Sequence, residues 1–575
     1  MVSITPSNSS ILDFQRMSHN LPAFYQGISL KLSMLLLAAP MLVFLASLLV
    51  ILVWSASVAF RYVHLRKNLL EQGLDGPPPK FLIGNMHQVS KMRELATSKD
   101  MRVGDHDLLP RICPHFTYWS AIYGKRFLFW WGMEPRITVV EPEMIKEILS
   151  TKAEHFGKSL LLKKGGVLLL GNGMVYANGE SWAHRRRIVG PAFHAEMLKK
   201  MVPEMVASTS QMLGQWSQII DNKSSRRSGD GSSAEIDINY YLSMATADVI
   251  ARTAFSSTSS HEKGKRVFQL LTCLQKVFAQ SNRFLWLPCN RMLPTAANRR
   301  ASRIKRDMER ALRELVLERR AGRQKHGYGS DFLGLMLSES ERDKSEAAAA
   351  AQQFDTPELV EECKTIFFTG HETTSALLTW TLMLLALNPE WQQRGRAEVM
   401  EHLPSKSSVP DADVLPKLKI LGMILNEALR LYPPAPALVR ESLVDLSIQD
   451  VKYPRGTTFW IPIVALHHSK DVWGDDALHF NPARFADGVA GACKLQHQKL
   501  WSFMPFSLGP RACLGQSFAM MEAKVVLAMI LQRFELKISP NYRHAPVTAI
   551  TLKPKYGMQL MLAHYSIEDG EKSPG

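Results

Sequence analysis

The sequence predicts a mainly α-helical protein with a few small β-sheets, built as one large body behind an N-terminal membrane helix. Three observations predict it. Segments with apolar residues at helical spacing recur along most of the chain, and short β-rich pieces lie between them. One uncharged run near the start is also long enough to cross a bilayer. Of the 575 residues, 46% are hydrophobic and 21% charged, which excludes a disordered chain.

Residues 1–31 read as a lumenal leader, Ser-rich and with Asp13 as its acid. Residues 32–60 carry no charge and read as a single-pass anchor, with Pro40 tolerated as a kink. The run is too long for the apolar part of a cleavable signal peptide. Arg16 and Lys31 precede it, whereas Arg61, Arg66 and Lys67 follow, which places the large body on the cytosolic side of the endoplasmic-reticulum membrane. The same leader leaves a transit peptide, and with it the plastid envelope, as the alternative. Asn8-Ser9-Ser10 is a glycosylation sequon if it faces a lumen. Residues 61–80 form a basic, proline-rich hinge ending in "GPPPK", and residues 81–575 form the body.

Within the body, "EMIKEILST", "MLKKMVPEMVASTSQMLGQW", "RASRIKRDMERALRELVLERRAGRQ" and "KLKILGMILNEALRLY" read as helices. "KRFLFWW", "RITVVE", "TTFWIPIVALHH" and "QLMLAHY" read as strands. The longest helix opens at Thr356-Pro357-Glu358, a cap, a first-turn proline and an acid. It runs to about Leu387, a length of about 45 Å. Lys223 to Ser233 reads as a polar surface loop, and Ser338 to Ala351 as a charged connector.

The cysteines Cys113, Cys273, Cys289, Cys363, Cys493 and Cys513 form no CxxC pair, which excludes a zinc module and a disulfide framework. Lys and Arg exceed Asp and Glu by 69 − 53 = 16. Such an excess suits a membrane surface or an acidic partner. Neither zinc-finger spacing nor an RNA-binding aromatic signature is present, so no nucleic-acid partner is expected.

Cys513 lies in "FMPFSLGPRACLGQSF" with Phe506, Gly509, Arg511 and Gly515 at fixed offsets. A lone cysteine is ordinarily structural. Glycines that admit close backbone approach, a fixed cation and an apolar plate instead favour a stabilised thiolate, as a metal ligand or a nucleophile. A nucleophile needs a base, and His544 has no evident partner in the sequence. Other motifs fail on spacing. His371-Glu372 begins an HExxH pattern whose second histidine position is Ser375. "HFGKS" has Lys152 where a phosphate-binding loop needs glycine, and "GQSFA" lacks the last glycine of a nucleophile elbow.

Phe506-x-x-Gly509-x-Arg511-x-Cys513-x-Gly515 resembles the haem-binding loop of the cytochrome P-450 (haem-thiolate) family. Glu427-x-x-Arg430 in "LNEALRLYPP" and Arg484 in "FNPARF" resemble the family's buried charge network. The resemblance covers roughly Pro77 to the C-terminus and implies the cytochrome P-450 fold as a single catalytic domain. It implies haem b, with Cys513 as axial iron ligand and Phe506 beside it. Trp182 and Arg186 in "ESWAHRRRIVGPAF", Arg440 in "PALVRES" and Arg511 would grip its propionates. Arg185 and Arg187 are left as a solvated face or a partner's docking point. In "FFTGHETTSALLTW", the resemblance makes Thr373 the oxygen-side hydroxyl beside a local helix distortion, and Glu372 the proton-relay acid. Thr369 departs from the family's usual Ala or Gly.

"WIPIVALHHSKDVWGDDALHFNP" and "NYRHAPVTAITLKPKYGMQL" are similar to a plant microsomal clan of this family, including the cytokinin hydroxylases, which act on an isopentenyl side chain. The implied activity is O2-dependent hydroxylation of a small, largely apolar substrate, with electrons from an NADPH-dependent flavoprotein reductase. A terpenoid, gibberellin-type or fatty-acid substrate is the alternative within the clan. A haem-thiolate isomerase or dehydratase, needing no reductase, is the alternative from another class. Expected pocket segments are Leu160 to Leu170, Phe367 to Thr373, Pro436 to Val439 and Val547 to Thr551.

Overall fold

The computed structural model describes residues 43–565, apart from 51, 54–55, 58, 61, 226–232, 256–257, 282–294, 324–326, 347–353, 406 and 494–498. The chain divides into two units, Met1–Gly73 and Leu74–Gly575. In the first, residues 43–50 and 62–71 are helical, and Val43, Phe44, Leu49 and Val50 are exposed. Residues 1–42, which hold the leader and the start of the expected span, lie outside the described residues. Among the described residues, no helix is long and apolar enough to cross a membrane.

The second unit is mainly helical. Its site-building helices are α1 (Leu160–Leu170), α2 (Gly179–Val189), α3 (Val202–Ser224), α4 (Ile238–Ala254), α5 (Thr258–Ser281), α6 (Ala296–Ala321) and α7 (Phe332–Glu346). After them come α8 (Thr356–Leu387), α9 (Pro389–His402), α10 (Lys419–Leu431) and α11 (Gln516–Arg533).

On α10, Leu421, Ile424, Leu425, Ala428 and Leu429 are buried, the i, i+3, i+4 stripe its sequence carries. α8 is the central element and packs against α1, α4, α6, α10 and α11. From Leu359 to Leu385 nearly every side chain is buried. Besides Glu361, only Thr369, Gly370 and Thr373 keep partial accessibility. Their i, i+1, i+4 spacing puts them on one face of the helix.

Small sheets frame this bundle. β1 (Leu128–Trp131), β2 (Glu134–Thr138), β3 (Phe156–Gly157), β5 (Leu438–Ser442) and β8 (Thr458–Ile461) form a sheet in the order β1-β2-β8-β5-β3. Only β2 and β8 run parallel in it. β4 (Ser233–Asp237), β12 (Gln559–His564) and β9 (Phe534–Ile538) form a second sheet. β6 (Leu446–Ile448) pairs with β7 (Val451–Tyr453), and β10 (Pro546–Thr548) with β11 (Leu552–Pro554).

Several segments differ from the sequence reading. "TTFWIPIVALHH" is strand only to Ile461; past Pro462, Ile463–His467 is a helix. The charged segment from Ser338 is helical to Glu346, because its Glu, Lys and Arg are good helix formers. Lys223 and Ser224 belong to α3, and "MLKKMVPEMVAS" is divided near Met201, where Pro203 enters the first turn of α3.

The charge network forms as expected. Arg430 holds Glu427 with two bonds of 2.8 Å, and Arg484 Nε lies 3.4 Å from the same carboxylate. Glu427 also accepts the Asn481 N–H at 2.9 Å, so one buried carboxylate ties α10 to the 481–484 segment.

Candidate functional site

Cys513 ends a tight loop whose shape the backbone explains. Ser507 has φ 58° and Gly509 has φ 73°, both left-handed. A Cβ on Gly509 would lie 1.8 Å from the Leu149 carbonyl oxygen, so only glycine fits. Gly515 is not so constrained, since a Cβ there would meet Phe193 at an ordinary 3.6 Å. The Cys513 N–H donates to the Phe506 carbonyl at 2.8 Å, with the Phe506 ring half-buried alongside. The cysteine itself is solvent-accessible. Burial by the surrounding loop raises its thiol above the ordinary value, opposed by a hydrogen bond from Gly515 N–H and by the Arg186 charge. His544 is no base for it, as its ring bonds the Tyr542 hydroxyl at 2.8 Å and the Tyr432 hydroxyl at 3.4 Å.

Three arginines converge beside this loop. Arg186 donates to the Ala512 carbonyl at 3.0 Å. Arg511 donates to the Ala177 carbonyl at 2.9 Å and to Asn178 Oδ1 at 3.3 Å. The Trp182 indole lies between them, 4.6 Å from the Arg511 guanidinium and 5.8 Å from that of Arg186. Arg440 on β5 is buried and reaches Ser507 Oγ at 3.4 Å. Burial and the neighbouring Arg511 lower Arg440 to about 10; burial and Arg186 do the same to Arg511. Half-buried Lys158 joins them, held well below its ordinary value by burial, Arg440 and Arg511. Among the described residues no carboxylate pairs with any of the four.

Converging cations, one buried and three partly so, are costly without counter-charge unless an anion joins them. Among the described residues, no three His, Cys, Asp or Glu side chains gather to hold a bare metal ion. One accessible thiol beside anion-free guanidiniums therefore fits a metal carried by an anionic prosthetic group.

Glu372 and Thr373 lie on α8, with no direct contact to that set. Glu372 is buried and ion-paired, with Lys553 Nζ at 2.6 Å from Oε1. Thr551 donates to it at 2.8 Å and Gln275 at 3.2 Å. Burial raises this carboxyl, but Lys553, His371 and the hydrogen bonds outweigh it and hold the group below the usual range. Thr373 Oγ1 donates to the Thr369 carbonyl at 2.7 Å, and Thr369 Oγ1 to that of Thr365 at 2.8 Å. α8 runs as one helix from Thr356 to Leu387, without a break at these residues. Gly370 serves packing: a Cβ there would lie 2.4 Å from Ile250 Cδ1 on α4.

Sequence reasoning missed Lys158, although "HFGKS" set a cation among apolar and small residues. It also missed Lys553 and Gln275, and although Thr551 ends an expected pocket segment, the link of all three to Glu372 carries no local signal. Arg185 requires a correction. It is not a solvated arginine: it bonds buried Glu362 at 2.8 Å and lies 5.7 Å from the Phe354 ring. Arg185→Glu is therefore expected to destabilise the fold by roughly 3–5 kcal/mol, as it sets two carboxylates against each other in the interior. A urea unfolding midpoint equal to the parent's would contradict this.

A sequence profile described as "Cytochrome P450" matches residues 109–560. Two Arabidopsis thaliana proteins named "Cytokinin hydroxylase" are each 42% identical over 503 residues, 87% of this chain and 92% and 93% of theirs. The Arabidopsis thaliana protein named "Cytochrome P450 709B1" is 37% identical over 536 residues, 93% of this chain and 98% of its own.

Proposed function

The chain belongs to the cytochrome P450 family and is a haem monooxygenase, and on that premise we propose that it hydroxylates a small, largely apolar plant metabolite or hormone, first of all the isopentenyl side chain of a cytokinin. The observation that carries the haem assignment is the accessible Cys513 thiol beside guanidiniums that lack counter-anions among the described residues. Cys513 would ligate the iron of haem b, because a coordinated thiol is deprotonated outright even where its surroundings raise the free thiol. Arg186, Arg440, Arg511 and the Trp182 N–H would hold the propionates, with Lys158 beside them. Bound there, the haem supplies dioxygen activation, this family being the known case of thiolate push toward O–O cleavage. The choice of substrate rests on the 42% identity to two cytokinin hydroxylases and on the apolar pocket segments.

The chain's own contribution is to deliver protons. Thr373 lies on the accessible face of α8, where its hydroxyl can turn from the Thr369 carbonyl toward a distal oxygen. Glu372 is held ionised, so it accepts a proton before it passes one on. Lys553, a third exposed, joins it to solvent. Electrons would come from an NADPH-dependent flavoprotein reductase on the endoplasmic-reticulum membrane.

The test is a turnover screen of microsomes bearing the protein, with NADPH and a reductase, over cytokinins, terpenoids, gibberellins and fatty acids, read by product mass. Hydroxylated cytokinin supports the reading. Product from another class alone removes the substrate assignment, and product without NADPH removes the reductase. Thr373→Ala is expected to bind substrate normally, yet product formation should fall on the order of 10²-fold. Peroxide should take up the NADPH consumed. Unchanged coupling would take Thr373 out of the mechanism.

A further inference from the structure

Glu522 is the one acid of "SFAMMEAKVVLAMI" on α11, and its side chain is completely buried. Neither carboxyl oxygen has a well-formed hydrogen bond, and no cation pairs with it among the described residues. An ionised carboxylate in that setting would be far costlier than the neutral acid. Burial indeed pushes this group well above its ordinary value, and the one neighbour that opposes the shift is the Thr374 hydroxyl.

Thr374 is itself anomalous on α8. Thr369, Thr373, Thr379 and Thr381 each donate to the carbonyl four residues back, at 2.7 to 2.8 Å. Thr374 makes no such bond, and its buried Oγ1 is without a partner. α8 and α11 pack together, and the Thr374 hydroxyl is the side chain close enough to act on the Glu522 carboxyl, short of a formed bond. Two unsatisfied groups thus face each other across one helix contact. They satisfy each other if the carboxyl keeps its proton and the threonine oxygen accepts it.

We propose that Glu522 is a neutral carboxylic acid acting as a positioning residue: it donates a hydrogen bond to Thr374 and locks the turn of α8 that carries Thr373 to the helix following Cys513. The functional half of this rests on Thr373 being the distal hydroxyl. α11 begins at Gln516, three positions past Cys513, so the contact joins the thiol side of the site to its oxygen side. An ion pair could not play this part in the interior without a second buried charge.

The test uses the haem-loaded enzyme. The infrared difference between the parent and Glu522→Gln should show loss of the carbonyl stretch of a protonated, weakly hydrogen-bonded carboxylic acid. Loss of ionised carboxylate bands instead would overturn the proposal. In the reduced, CO-bound enzyme the C–O stretch reports the distal surroundings. It should be narrow in the parent and in Glu522→Gln, whose amide can still donate, and shifted or broadened in Glu522→Leu and Thr374→Val. Their double variant should be no worse than either alone. An unchanged stretch in both single variants would overturn the positioning role. Should Glu522→Leu fail to load haem, Thr374→Val, which removes only a hydroxyl, decides. Thr373→Ala separates the two readings, since it should leave the carboxylic-acid band in place. If it leaves coupling unchanged while Glu522→Leu still shifts the C–O stretch, the Thr373 role fails and the Glu522 lock stands.

Discussion

Cys513→Ala is expected to abolish both turnover and the strongly red-shifted Soret band of a reduced, CO-bound thiolate haem. The thiols separate by environment. Cys113 and Cys363 are fully enclosed and pushed up to about 12 by burial, so neither can supply a thiolate. Cys513 is also raised, but the Gly515 N–H and Arg186 oppose the shift, and its accessible position lets a metal reach it. Its side chain fills no core space, so the protein portion should change in stability by no more than about 0.5 kcal/mol. Loss of the band with an unchanged fold would therefore report ligation alone. Cys513→His should retain some haem but show the band of a nitrogen-ligated iron. Persistence of the red-shifted band in either variant would sink the assignment, and the carbon monoxide difference spectrum reads it directly.

Much of this molecule was legible because local pattern and tertiary outcome agree. The stripe on α10 and the span of α8 follow from apolar spacing and a first-turn proline. The cysteine loop was legible because glycines, an arginine and an aromatic stand at fixed offsets from Cys513, whereas the Glu427 network was legible only through the family resemblance, since Glu-x-x-Arg alone reads as a surface ion pair. What stayed hidden depends on contacts between distant segments. Arg185 sits in a run of arginines that reads as solvated, yet its partner Glu362 lies 177 positions away. Glu372 reads as a free acid until Lys553, Thr551 and Gln275 are brought to it by β11, the loop before it and α5. Ile463–His467 has the composition of a strand, and burial of its side chains in the core overrides that preference. The Thr374–Glu522 contact likewise needs two helices in register before either residue looks unusual.

Glu427→Ala is expected to lower stability by roughly 3–5 kcal/mol and to prevent stable haem loading. That cost is a large share of the roughly 5–15 kcal/mol available to a folded protein. Glu427 and Arg430 are both fully buried. Arg484 keeps a second carboxylate, Asp476, when Glu427 is gone, whereas Arg430 loses the only one that pairs with it among the described residues. The effect should reach the cysteine loop by a defined route. Arg430 also donates to the carbonyls of His467, Ala477 and His479, at 2.8, 2.5 and 3.2 Å. His467 Nε2 in turn accepts the Met504 N–H at 3.1 Å, two residues before Phe506. An unpaired Arg430 therefore frees the segment that presents Cys513, and the expected readouts are fewer haems per chain and a lower melting temperature. Thr373→Ala, by contrast, should load and melt normally. A second variant fixes the cause. If the penalty is the stranded charge, Glu427→Ala with Arg430→Leu should be more stable than Glu427→Ala alone, because no buried cation is left without a partner. A stable, fully loaded Glu427→Ala protein with only slower turnover would instead move Glu427 from the frame of the fold into its chemistry.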